Sequence, residues 1–161
     1  MSEEYDVQQV CENGHKITGL YNIKPRRRQR YCSNCGAKTI TACPNCKKEI
    51  QGDRYVSTPY GTPINVKRVF VPLYCPDCGE AYPWTQKKIQ TAIQIFAEFG
   101  GLEEKENETI EQDVENIAKD VPETELSAMR IKRIWGKYGP ICRELILEFA
   151  SRTAANILKG P

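Results

Sequence analysis

The chain has one histidine, His15, and only two methionines and two tryptophans in 161 residues. A single imidazole excludes active sites built on two histidines, and no H-x-E motif is present, which argues against a zinc deaminase. Long apolar runs are missing as well. The uninterrupted apolar stretches are a few residues long, against the roughly 20 needed to cross a bilayer, and mean hydropathy is −0.57. Strong charge imbalance is also lacking. The formal net charge is +2, with 12 Lys/Arg against 8 Asp/Glu through residue 84 and 11 against 13 afterwards. That bulk charge does not describe a strongly basic nucleic-acid binder. The opening Met1-Ser2-Glu3-Glu4-Tyr5-Asp6 is acidic and polar, unlike a secretory leader. A soluble cytoplasmic chain with reduced thiols is expected.

Cysteine, by contrast, is plentiful. Seven of the eight fall within the first 78 residues, and six of those form the C-x-x-C pairs Cys32/Cys35, Cys43/Cys46 and Cys75/Cys78. In a reducing compartment such pairs serve more often as metal ligands than as bridges. Zinc takes four ligands in a tetrahedron, and a short turn supplies two at a time. Cys11 and His15, bent together by Asn13-Gly14, complete one set with Cys32 and Cys35. The bland alternative leaves His15 on the surface and three cysteines without a fourth ligand. Cys43, Cys46, Cys75 and Cys78 make a second set. This sequential pairing encloses loops of 16 and 28 residues, each able to hold a hairpin. The crossed pairing, Cys32/Cys35 with Cys43/Cys46 and Cys11/His15 with Cys75/Cys78, leaves both hairpins without a clasp. Two Zn2+ ions are expected, sequentially held. Gly36 and Gly79 follow their cysteine pairs, where the turn favours positive φ. Lys47 takes that place after Cys46, so this knuckle is expected to be less regular.

Both sets provide four protein ligands, the closed arrangement of a structural site, whereas a catalytic zinc keeps a position for water. Thiolate donation also weakens the ion as a Lewis acid. A thiol–disulfide enzyme would need βαβ surroundings and a pair at a helix N-terminus. Cys142, among apolar residues of a helical stretch, reads as a buried, inert thiol.

Composition changes after Trp84. The expected fold is α+β, small and metal-stabilised: tandem zinc-ribbon or knuckle units over residues 1–84 (the first about 8–40, the second about 41–84), then a helical region of three to four helices over 85–161. Ile17–Tyr21 and Arg28–Tyr31 flank a turn at Asn22–Pro25, and Tyr55–Thr58 and Val66–Tyr74 flank the breakers Pro59–Pro63, with Val69, Val71 and Leu73 alternating. Thr85 is read as the N-cap of a helix carrying Ile89, Ala92, Ile93 and Phe96 up to Gly100-Gly101. Thr109 and Gln112 suggest a capping box for the next helix, with residues 103–108 as a solvated linker or helix start. Pro122 can open a third, ended by Gly139-Pro140. A last helix from about Pro140 to Leu158 is apolar on several faces, which implies burial by the other elements or self-association.

Cys11-Glu12-Asn13-Gly14-His15, Tyr31-Cys32-Ser33-Asn34-Cys35-Gly36, Cys43-Pro44-Asn45-Cys46 and Tyr74-Cys75-Pro76-Asp77-Cys78-Gly79, followed by Tyr82-Pro83-Trp84-Thr85, carry a resemblance. The chain resembles double zinc-ribbon proteins, and over nearly its whole length it looks like a family of small bacterial proteins of unknown function. That resemblance implies ribbons and helices and no particular reaction.

For function, the reading is a zinc-binding, non-catalytic interaction module or adaptor that holds a protein partner or self-associates, with no membrane. The alternative is nucleic acid, gripped by Lys24, Arg26, Arg27, Arg28 and Arg30 with Tyr21 and Tyr31 as stacking surfaces; the bland view of this run is a solvated strand edge. A zinc-dependent enzyme is the least favoured. Trp84 serves either as packing between ribbon and helix or as an exposed anchor.

Overall fold

Strand β1 (Glu3–Val7) runs antiparallel to β5 (Gln51–Ser57), whose other edge takes β6 (Pro63–Lys67). A second sheet places β2 (Gln9–Cys11) between β3 (Lys16–Thr18) and β4 (Thr39–Ile40). The computed structural model describes residues 3–58, 60–61, 63–99, 104–135 and 139–160. Two compact units divide the chain, Met1–Thr85 and Gln86–Pro161. The first holds both small sheets, and helices make up the second.

The acidic opening becomes a strand because its polar groups are used internally. Asp6 is buried, and its carboxylate accepts the backbone N–H of Val7 at 2.7 Å, of Ile23 at 3.0 Å and of Asn22 at 3.1 Å. Between the sheets, Gln8 is fully buried and its N–H donates to the Ile50 carbonyl at 2.7 Å. Gly52 sits where any side chain would collide with the backbone of Asp6 and Val7.

Two expected strands are replaced for the same reason. The segment Arg28–Tyr31 does not pair with Ile17–Tyr21; β3 pairs with β2, and Pro25–Arg27 form one 3-10 turn. Asp6 takes the N–H groups of Asn22 and Ile23, which removes them from any ladder. Nor does the alternation Val69-Val71-Leu73 form a strand, since β6 ends at Lys67. Val69 donates its N–H to Asp53 and accepts at its carbonyl from Lys16 and Gln8, so side chains consume its backbone. Of the breakers at 59–63, positions 59 and 62 lie outside the described residues.

The second unit contains five helices among the described residues, not three to four: α1 (Pro83–Phe99), α2 (Glu104–Lys119), α3 (Thr124–Trp135), α4 (Gly139–Phe149) and α5 (Arg152–Lys159). The extra one arises because the expected last helix breaks at Ala150-Ser151. Ser151 caps α5 by accepting the Ala154 N–H at 3.3 Å, the usual role of serine at a helix start. The break lets both apolar faces serve one core: Ile146 and Phe149 of α4 and Ala154 and Leu158 of α5 are buried with Phe96, Val114, Ile117 and Ile131. Thr85 is not an N-cap; it lies inside α1 and donates its hydroxyl to the Leu73 carbonyl at 2.7 Å. Helix α2 starts at Glu104, so Thr109 and Gln112 sit inside it, and Gly100-Gly101 lie outside the described residues. No helix of the described residues is long and apolar enough to cross a membrane.

Candidate metal centres

Four knuckles of like construction present the cysteines. In three of them the first cysteine donates its N–H five residues ahead, Cys32 to Ala37, Cys43 to Lys48 and Cys75 to Glu80, each at 2.8 Å. The same cysteines accept at their carbonyls from Gly36, Lys47 and Gly79 at 2.8, 3.0 and 2.9 Å. That closure needs a left-handed residue after the second cysteine, and φ there is 70° at Gly36, 65° at Lys47 and 76° at Gly79. The Cys46 knuckle is therefore as regular as the others. Lys47 adopts the strained conformation and sets its ammonium on the Pro44 carbonyl at 2.5 Å. The fourth knuckle is the β2–β3 turn, in which Cys11 donates to the His15 carbonyl at 3.0 Å and Gly14 donates back to Cys11 at 2.8 Å.

These turns bring together Cys11, His15, Cys32 and Cys35 in one group and Cys43, Cys46, Cys75 and Cys78 in another, with all ligand atoms of a group within 4.8 Å. Each group can hold a metal ion. A tetrahedral ion with Zn–S bonds of about 2.3 Å and a Zn–N bond of about 2.0–2.1 Å spaces two sulfurs about 3.8 Å apart, and a sulfur and a nitrogen about 3.5 Å. Cys11 and Cys35 sulfurs are 3.8 Å apart, Cys43 and Cys78 3.8 Å, and Cys46 and Cys75 3.6 Å. Nδ1 of His15 lies 3.5 Å from the Cys11 sulfur and 3.6 Å from that of Cys32. The donor sets thus fit a tetrahedral, thiophilic divalent ion, and none of these cysteines is in a disulfide.

The surroundings favour thiolate at Cys35 and Cys75 and oppose it at Cys11, where burial outweighs the backbone donors, and at Cys46. The backbone N–H of His15 donates to the Cys11 sulfur at 3.3 Å, and the Asn13 amide donates to Cys35 at 3.5 Å. Cys35 is pulled down to about 6, chiefly by the Ala37 N–H. Burial raises Cys75, yet the N–H groups of Cys78 and Asp77 bring it down to about 6. Cys46 is held high despite the Lys48 N–H, because burial and the thiols around it disfavour a second negative charge. Four sulfurs this close cannot all ionise without a cation among them.

One aromatic step joins the two clasps. Tyr82 and Trp84, both buried, stack with ring centroids 4.7 Å apart and planes 11° from parallel. Tyr82 borders the Cys75 sulfur, and its hydroxyl is raised by burial and then by that sulfur's charge. On the other side, a Cβ at Gly14 would stand 3.0 Å from that of Trp84. Trp84 also donates Nε1–H to the Pro72 carbonyl at 2.7 Å. Trp84 is thus packing, not an exposed anchor. Val10, Cys43, Ile50 and Cys75 complete this small core.

The arginine run is not a strand edge. Arg28 stands over the Tyr21 ring at 4.1 Å and donates Nε–H to the Tyr21 carbonyl at 2.8 Å, so both are occupied with each other. Lys24, Arg26, Arg27 and Arg30 pair with no carboxylate among the described residues, and Tyr31 is exposed. Cys142 is buried in the helical core, and burial raises its thiol.

Two four-donor clasps on knuckles, two small sheets and helices that follow them define a small α+β protein of the double zinc-ribbon type. Residues 4–158 match the model of a family described as "Uncharacterized protein conserved in bacteria (DUF2321)", and the chain belongs to that family. No curated protein and no solved structure matches the chain.

Proposed function

We propose that each clasp holds one structural Zn2+ and that the chain is a non-catalytic interaction module of the cytoplasm whose partner is a protein. The observation that carries the metal part is the closeness of the four donors in each set, all within 4.8 Å of one another and five of their separations at 3.5–3.8 Å, the spacing of a tetrahedron closed by four protein ligands. A closed thiolate-rich tetrahedron stabilises a fold and offers no position for substrate. Support for a protein partner comes from β6, which pairs only with β5 among the described strands. It exposes Ile64 and Val66, with Phe70 91% exposed just beyond it. An exposed strand edge with adjoining apolar side chains is a surface that a partner strand can extend.

Native mass spectrometry should give two zinc ions per chain; a folded, metal-free chain contradicts the metal reading. Partner capture should survive nuclease and fall with Ile64→Lys or Phe70→Asp. The nucleic-acid reading is favoured by Lys24, Arg26, Arg27 and Arg30, which pair with no carboxylate among the described residues. It requires the opposite result: capture abolished by nuclease and by neutralising those four residues, with β6 variants unaffected.

A further inference from the structure

A cavity of about 550 Å³ opens in the first unit between β3 and β6, and its charge is far from the chain's average. Its lining includes Lys16, Lys24, Arg27, Lys67 and Arg68, with Asp53 as the one carboxylate. Asp53 does not neutralise the space. It is buried, and its oxygens take the Lys16 ammonium at 2.6 Å, the Val69 N–H at 2.9 Å and the Asn65 amide at 3.1 Å. Its role is to hold Lys16, whose ammonium also donates to the Val69 carbonyl at 2.6 Å. An ammonium has three donors, so one remains. Lys24, Arg27, Lys67 and Arg68 pair with no carboxylate among the described residues. Four unneutralised cations converging on one concavity repel one another, and a multiply charged anion removes that cost.

We propose that this cavity binds a small phosphorylated ligand carrying at least two phosphoryl groups, of nucleotide size. Single carboxylates carry too little charge for four cations. Phosphoryl oxygens accept the forked arginine donors of Arg27 and Arg68 together with point-like ammonium groups. The volume lies within the range of about 300–1,000 Å³ usual for small-molecule sites. A nucleic-acid strand is less well served, because Tyr21 is covered by Arg28 and no aromatic side chain is among the described residues that line the cavity. The site is separate from both clasps and does not depend on the protein-partner reading.

The test is calorimetric titration of the metal-loaded full chain with inorganic pyrophosphate, with a nucleoside triphosphate and with a ten-residue oligothymidylate. Saturable binding of pyrophosphate or the triphosphate is expected, weakened about tenfold or more when salt rises from about 50 to 200 mM. The double variant Lys24→Ala/Arg68→Ala removes two of the four unneutralised cations and should weaken binding at least tenfold. Arg28→Ala, whose guanidinium is spent on Tyr21, should leave it unchanged. Amide spectra of each variant establish that the fold is retained. Absence of saturable binding, affinity indifferent to the double variant, or binding of the oligonucleotide alone would each overturn the proposal.

Discussion

Replacing Cys75 by serine tests how far the second clasp supports the first. Cys75 is 1% exposed and lies in the same small core as Val10, which belongs to the sheet of the first clasp. Its neighbour Tyr82 stacks on Trp84, against which the Asn13-Gly14 turn is packed. A structural zinc contributes about 10–16 kcal/mol in small peptides near neutral pH. That is of the same size as the total stability of about 5–15 kcal/mol usual for a domain. Losing the second ion is therefore expected to unfold the whole of Met1–Thr85 instead of one ribbon. The helical unit has its own core, with Phe96, Ile117, Ile146 and Phe149 fully buried, and should persist. Hydrogen exchange read by mass spectrometry resolves the two outcomes, with peptides from 5–82 losing protection and those from 108–158 keeping it. Native mass spectrometry of the same sample should show at most one zinc. Full protection across 5–82 with two ions bound would refute the reasoning. So would simultaneous loss of protection in the helices, which would make the two units one cooperative whole.

Other consequences are more local. Gly79→Ala should cost about 1–2 kcal/mol, purely from its φ of 76°, since a Cβ there meets nothing within 4 Å. Lys47→Gly should stay within about 1 kcal/mol of wild type, with relief of its left-handed strain offset by backbone entropy and the lost Pro44 contact; urea midpoints of the zinc-loaded proteins compare the two. Burial raises the Asp53 carboxyl, but Lys16, the Val69 N–H and Asn65 hold it below its ordinary value. Its stabilisation is thus complete above the unfolded value near pH 4 and fades only as pH falls through the lower folded value. Asp53→Asn should cost about 2 kcal/mol, and that cost should stay constant from pH 8 to 5; a cost that shrinks over this range would contradict the sign of the shift. Ser151→Ala removes the cap of α5 and should cost about 1 kcal/mol in the helical unit, with zinc content unchanged.

The grouping of the eight donors was legible because C-x-x-C spacing is local chemistry: a knuckle needs only its own six residues. Helical faces were legible for a similar reason, with Ile110, Val114, Ile117 and Ala118 recurring at the helix period and buried together. The features that stayed hidden depend on partners distant in sequence. Val69 alternates like a strand residue, but Asp53, Lys16 and Gln8 take its backbone. β1 forms because its partner lies some fifty residues on. The break at Ala150-Ser151 carries neither glycine nor proline, so only the cap itself marks it. The Arg26–Arg30 run was visible as a charge block, yet its division was not: Arg28 turns to Tyr21, while Arg27 joins Lys16 of β3, Lys67 of β6 and Arg68 just beyond it.

The pairing of β1 with β5 gives β1 an unusual task. Synthesis from the N-terminus leaves Glu3–Val7 waiting until the second hairpin emerges, although the first clasp can close much sooner. Trimming this segment would strip one flank from β5 and leave it bordered by β6 alone. Damage to β1 would therefore be felt in the hairpin of the later ribbon.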